Sequence, residues 1–198
     1  MKLKQIAHIA VGYPFRGKIP EVAGTHVLAV QLKDISVSEG INWSTCVETE
    51  TQGKREPDWL KAGSILFVAR GSNNYSVLID SSVEGKKAVA APHLYIITPK
   101  KNTLLPEYLA WYLNQEPCLR YFQRESEGTL TKSIRRPALE AAPIVVPSLD
   151  QQKTIVALAD TLRKEQQLLT QLISNGQLTM NAIAAQLASK EFAAENLI

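Results

Sequence analysis

At 198 residues the chain is long enough for one domain with a substantial core plus an appendage. Its hydrophobic fraction of 45 % and mean hydropathy of -0.09 are those of a globular protein, and no apolar run approaches the ~18 residues of a membrane span. The net charge of +3 is uneven: residues 1–147 hold 18 Lys and Arg against 14 Asp and Glu, and residues 148–198 hold 4 against 5. The basic surplus of the first part is compatible with a nucleic-acid face and equally with an ordinary solvated surface. Met1 to His8 lacks the apolar core of a signal peptide, so cytoplasmic localisation is the default expectation. Cys46 and Cys118 are far apart and unaccompanied, so neither a disulfide framework nor a metal site is expected.

In chain order, Leu3 to Val11 reads as a first strand or as a short helix leading into one. Gly12-Tyr13-Pro14-Phe15-Arg16-Gly17-Lys18 follows, with two glycines, two aromatics and two cations. It is either an aromatic-anchored turn or a loop presenting Arg16 and Lys18 to phosphate or base edges. His26 to Leu32 is a strand, and residues 34–58 are irregular and acid-rich, ill suited to lie on DNA as a whole. A buried strand, Ile65 to Ala69, ends in Arg70-Gly71-Ser72-Asn73-Asn74-Tyr75. Arg pairs bidentately with guanine and Asn with adenine, so this composition suits base reading. It suits a hairpin turn as well, since Gly and Asn are common turn residues. Ser76 to Asp80 is the returning strand, and Ala88 to Thr98 reads as one further strand disturbed by Pro92-His93.

Leu105-Pro106-Glu107 opens a helix, with Pro in the first turn, and Pro117 starts a second one. Their aromatic residues are expected in the core. Gly128 to Arg136 is basic, rich in hydroxyls and free of acids, which makes it the best phosphate-contacting stretch in the chain; the plainer alternative is a solvated loop. Ala138 to Ala142 forms a helical turn, and Ile144 to Val146 a last short strand between Pro143 and Pro147. From Ser148 a long helix begins, with Ser148 and Gln151 matching a capping box and Asp150 suiting the positive end of the dipole. Its apolar stripe runs Ile155, Leu158, Leu162, Leu169, Leu172 and then shifts to Ile173, Met180, Ile183, Leu187, as a 3.6-residue helix drifts against a 3.5-residue seam. About 40 residues at ~1.5 Å each reach roughly 60 Å, so the stripe needs a partner; the alternative is a helix broken at Asn175-Gly176 and folded back.

The chain carries no G-x-G-x-x-G, P-loop, H-E-x-x-H or G-x-S-x-G sequence. Pro57-Asp58 followed by Glu84-Gly85-Lys86 formally fits the P-D…E-x-K layout of metal-dependent nucleases, in which two carboxylates and a lysine converge on a divalent metal. Asp58 lies in a turn and Glu84-Gly85-Lys86 reads as a hairpin tip, so catalysis is the minor alternative and no cofactor or metal is expected.

Taken together, G-Y-P-F-R at Gly12, L-x-x-G-S-I-L-F-V-A-R-G at Leu60, L-P-E-Y-L-A-W-Y-L-N at Leu105 and P-I-V-V-P-S-L-D-Q-Q-K-T-I at Pro143 resemble, in their order and spacing, the DNA specificity subunits of type I restriction–modification systems. The resemblance covers nearly the whole chain, with Ser64 where the family usually has Asp, Lys190 where Gly is common and Gly176 inside the helix. It implies an α+β fold: a mixed-sheet target-recognition domain over 1–147, a long spacer and dimerisation helix over 148–192 and a tail over 193–198. It implies a non-catalytic reader of double-stranded DNA, recognising half of a bipartite target and assembling with a DNA methyltransferase subunit, the restriction subunit being a further partner. With one recognition domain and one helix where typical members have two of each, a homodimer with antiparallel helices is expected. The DNA contacts expected on this basis are Arg16, Lys18, Arg70, Ser72, Asn73, Asn74, Tyr75, Thr129, Lys132, Arg135 and Arg136. The Arg70–Tyr75 loop would specify and Thr129–Arg136 would grip phosphate. A stand-alone DNA-binding module of another defence system is the alternative from outside this family.

Overall fold

The computed structural model describes the backbone of residues 1–51, 56–100, 104–128 and 132–195, with side chains to residue 188. It falls into two units, Met1–Val156 and Ala157–Ile198. The first begins with helix α1 (Leu3–Ile6) leading into β1 (Ala7–Val11), followed by β2 (Val27–Val30) and the short strands β3 (Ile35–Ser36), β4 (Gly40–Ile41) and β5 (Val47–Glu48). Then come β6 (Ile65–Val68), β7 (Arg70–Gly71), β8 (Ser76–Leu78), β9 (Lys87–Ala90) and β10 (Leu94–Pro99). Helices α2 (Pro106–Leu113) and α3 (Glu116–Glu125), strand β11 (Lys132–Ser133) and helix α4 (Arg136–Ala141) precede the long helix α5 (Leu149–Glu195). The fold is mixed α+β.

The central sheet is antiparallel, in the order β1-β10-β6-β8. Strand β6 is buried at every position because both of its faces are covered. Side chains alternate across a strand, and Ile65 and Phe67 enter a core lined by Tyr108, Leu109, Leu113, Phe122 and Leu139 of α2, α3 and α4. Leu66 and Val68 enter a second core with Val30, Ala88 and Ala90 of the small sheet β5-β2-β9, in which β2 and β9 are parallel. Phe67 and Phe122 stack tilted, with ring centroids 4.8 Å apart. Cys118 is fully buried in the helical core, and burial pushes its thiol up to about 12, which leaves it an inert packing residue.

Three sequence expectations change. Ala88 to Thr98 is two strands in different sheets, with Pro92-His93 in the turn between β9 and β10. Proline cannot donate to a ladder, and here it marks the change of sheet. Ile144 to Val146 is not a strand: Pro143 forms a single bridge with Lys2, and Ile144 exchanges backbone bonds with Met1 while its side chain fills the core. Residues 34–58, expected to be irregular, carry β3, β4 and β5, and Asp34 at their start is buried, accepting from the Gln31 amide at 2.8 Å and the Thr45 hydroxyl at 2.7 Å.

The capping box at the start of α5 is present: Gln151 N–H donates to Ser148 Oγ (3.3 Å) and Ser148 N–H to Gln151 Oε1 (3.1 Å). Gln152, fully buried, accepts from Leu105 N–H (2.8 Å) and donates to Pro147 O (2.9 Å), joining the root of α5 to the start of α2. The helix runs unbroken through Asn175-Gly176. Ile155, counted with the stripe by spacing, is half-buried against the domain core. Leu158, Leu162, Leu169, Leu172, Ile173, Met180, Ile183 and Leu187 are all exposed, at 44–66 %.

Candidate nucleic-acid interface

Strands β1 and β6 flank β10 and run the same way, so both end beside its first residues, with Val11 opposite Tyr95 and Val68 opposite Leu94. The loops that follow them, Gly12–Lys18 and Arg70–Tyr75, therefore leave the same end of the sheet. Gly12 N–H donates to Leu94 O and Ala69 N–H to His93 O, both at 2.9 Å, so the β9–β10 turn pins the two loops. A Cβ on Gly12 would stand 2.0 Å from the Ala91 carbonyl oxygen, which is why only glycine fits there. Beyond it, Tyr13 and Phe15 meet edge to face at 4.7 Å, and with Arg16, Lys18 and Glu50 they line a cleft of about 370 Å³.

The Arg70 loop meets the basic stretch from the far side of the chain. Strand β7 pairs antiparallel with β11, setting Arg70 opposite Ser133 and Gly71 opposite Lys132, and Ile134 N–H donates to Ala69 O at 2.8 Å. Glu127 bridges to Ser133 on the other side, through Glu127 N–H to Ser133 O (3.0 Å) and Ser133 N–H to Glu127 O (2.9 Å). Residues directly opposed across strands share a face. Arg70, Ser133 and Glu127 thus lie on one face of this small ribbon and Lys132 on the other. Lys132 lines a second cleft, about 540 Å³, with Asn73, Asn114, Leu119 and Gln123.

The residues expected to contact DNA divide by what they already touch. Arg16, Lys18, Arg70, Ser72 and Asn73 are exposed, and among the described residues Arg16, Lys18, Arg70 and Lys132 make no ion pair. Asn74 is buried, and its amide donates to Val68 O at 2.8 Å, closing the β6–β8 hairpin rather than facing outward. Tyr75 donates its hydroxyl to Ile35 O at 3.2 Å, and burial raises its pKa. Arg135 pairs with Glu127 at 2.7 Å and Arg136 with Glu140 at 2.7 Å. Thr129 lies outside the described residues.

Two contributors were not singled out in the sequence. Asn114, which ends α2, accepts from Ser76 N–H and donates to Ser76 O, both at 2.8 Å, so its amide replaces the missing neighbour strand at the edge of β8. Its position at the end of α2 gives no hint of that partner. Glu127 stands one residue before the acid-free stretch and folds back onto it; its place next to Gly128 was the available signal.

On the nuclease layout, Lys86 donates to Ser82 O at 2.6 Å and lies 5.5 Å from the centre of the Trp43 ring. It closes the turn that Gly85 makes with a positive φ. Among the described residues no three His, Cys, Asp or Glu side chains are grouped to hold a metal ion, and no helix is long and apolar enough to cross a membrane.

A mixed domain that gathers loop cations at one end of a sheet and continues into a long helix defines a binding module. The sequence model of the type I restriction modification DNA specificity domain matches residues 2–175, and the chain belongs to that family, whose subunits are non-catalytic. The fold is similar to the HsdS subunit from Thermoanaerobacter tengcongensis (TM-score 0.60, 18 % identity, covering 86 % of this chain and 38 % of that one). It is similar also to the type I restriction–modification S subunit from M. genitalium (TM-score 0.57, 14 % identity, 88 % and 41 %). A third similar chain comes from a structure describing complex assembly and conformational transition of the type I R-M system (TM-score 0.54, 18 % identity, 85 % and 38 %). The chain thus spans about two fifths of the length of these solved relatives. No curated protein sequence matches it significantly.

Proposed function

We propose that this chain reads one half of a bipartite duplex DNA target for a type I restriction–modification system. Arg70, Ser72 and Asn73 contact base edges, while Arg16, Lys18, Lys132, Arg135 and Arg136 grip phosphate. The observation that carries this reading is the β7–β11 register, which joins the candidate base-reading loop to the candidate phosphate-gripping loop on one ribbon. Asn74 and Tyr75 act behind it, holding the loop's shape. Helix α5 supplies the assembly half of the function. Its exposed stripe from Leu158 to Leu187 supports pairing with the antiparallel helix of a second copy, and the paired helices dock the DNA methyltransferase subunit, with the restriction subunit as a further partner. A two-fold assembly of this kind reads a palindromic target with a fixed gap.

The test is co-expression with a candidate methylation subunit, purification of the complex and mapping of the methylated adenines. The expected result is a complex containing two copies of this chain and methylation at two inverted half-sites with one spacing. A chain that stays monomeric at micromolar concentration with its partners present removes the dimer, and methylation independent of this chain removes the reading altogether.

A further inference from the structure

Glu127 is a carboxylate on a surface where phosphate is expected, and its placement is set by backbone. It is held beside Ser133 by two bridge hydrogen bonds, and Ser133 stands opposite Arg70. The chain returns to the same face at Arg135, whose guanidinium meets Glu127 at 2.7 Å. Both side chains are well exposed, 73 % for Arg135 and 57 % for Glu127. A pair this exposed is held weakly, and the guanidinium keeps N–H donors that a phosphate can take without displacing Glu127. The Arg136–Glu140 pair differs: it lies within one turn of α4, an i,i+4 pair of the ordinary helical kind, whereas Glu127 reaches Arg135 across a strand bridge.

Building on the DNA-reading function proposed above, we propose that Glu127 is a specificity-determining residue that keeps Arg135 from non-specific phosphate. In the free protein the carboxylate neutralises Arg135 and repels an approaching backbone. On an unrelated duplex, where Arg70 finds no base partner, the ribbon is held at a distance at which Arg135 stays with Glu127 alone. On the target, base contacts from the Arg70 loop draw the ribbon close enough for Arg135 to donate to a phosphate while it keeps Glu127, so the acid's positioning of the guanidinium offsets its repulsion there. The acid therefore weakens non-specific binding more than specific binding, and the difference between the two is specificity. It acts through charge and through Arg135, without itself contacting a base.

The experiment measures binding of the full chain, together with its methylation subunit, to an unrelated 30-base-pair duplex and to duplexes selected from a random pool, across a range of salt. Wild type is compared with Glu127→Gln, Glu127→Ala, Arg135→Gln and the Glu127→Gln/Arg135→Gln double variant. Either Glu127 variant is expected to tighten binding to the unrelated duplex by about three- to tenfold and to steepen its salt dependence by about one phosphate contact. Binding to the selected duplex should change by less than about twofold, and the gain on unrelated DNA should shrink when Arg135 is also replaced. Equal tightening on both duplexes, no change on either, or an undiminished gain in the double variant overturns the proposal while leaving the DNA-reading function in place. A wild-type complex that binds no duplex overturns both. A sequence preference altered by Glu127→Gln shows direct base reading and likewise overturns the proposed role.

Discussion

Phe67 and Leu169 are both large apolar side chains in regular secondary structure, yet Phe67 is fully buried and Leu169 is 53 % exposed. The contrast extends to the two regions they belong to. In the first unit the strands and short helices enclose two cores, and buried polar side chains such as Gln152 and Asn74 have hydrogen-bond partners, the Thr49 hydroxyl being an exception. In α5 the backbone is satisfied by the helix, and Thr161, Thr170 and Thr179 donate their hydroxyls to carbonyls four residues back. What the helix lacks is cover for its apolar stripe. A domain that closes its own core can present a surface, whereas a helix with an open stripe leaves apolar side chains to be covered, and the proposed division of labour rests on that difference.

Charging the stripe is the strongest way to break the comparison. Leu162→Glu with Leu169→Glu places two carboxylates in the proposed seam and removes two leucines, each contributing about 1.5–3 kcal/mol when buried. Self-association should weaken by at least about 100-fold, read as a fall to the monomer mass in sedimentation equilibrium, with the thermal midpoint of the domain unchanged. A dimer that survives both changes places the interface elsewhere. Next comes Phe67→Ala, which empties the centre of the helical core and should cost about 3–5 kcal/mol, read from the urea midpoint. A loss below about 1 kcal/mol would mean that this core is far less tightly packed than its burial indicates.

The sequence disclosed features whose cause is local. Four consecutive apolar residues announced β6, Pro106 announced the start of α2, and the Ser148–Gln151 spacing announced the cap of α5. It disclosed less where the cause is distant. The run from Ala88 to Thr98 looks continuous, because the change of sheet at Pro92-His93 depends on β2 waiting on one side and β6 on the other. The meeting of β7 with β11 is a pairing of residues far apart in the chain, and no periodicity encodes it. Ile155 fits the heptad spacing as well as Leu158 does, yet it packs on the domain, because the first turns of α5 are anchored there through Gln152.

The candidate site carries its own version of the comparison, in two neighbouring asparagines. Asn74 is buried and bonded to Val68 O, while Asn73 is exposed beside it. Asn74→Ala leaves the Val68 carbonyl without that donor and should cost about 1–3 kcal/mol of stability, weakening every DNA sequence alike because the loop loses its shape. Asn73→Ala should change stability by less than about 0.5 kcal/mol and alter the preference at one base position, read by selection from a random duplex pool. If both variants shift sequence preference and neither shifts the melting midpoint, the division between reading and supporting residues in this loop is wrong.

The smallest expected effect falls on the helix at Gly176, where the stripe has just stepped from Leu172 to Ile173. The helix continues through it, and an added Cβ there would meet nothing within 4 Å. Substitution by alanine therefore carries no steric cost, and removing the backbone freedom of glycine should stabilise the helix by about 1 kcal/mol. In a helix anchored at one end by the domain and paired along its stripe as proposed, that gain should appear as slower amide exchange for residues around 176, with exchange in the domain core untouched. If the paired helices set the gap between half-sites, a stiffer helix should also narrow the range of gaps that the complex methylates. Faster or unchanged exchange around Gly176 in the alanine variant would mean that the helix does not yield at this glycine.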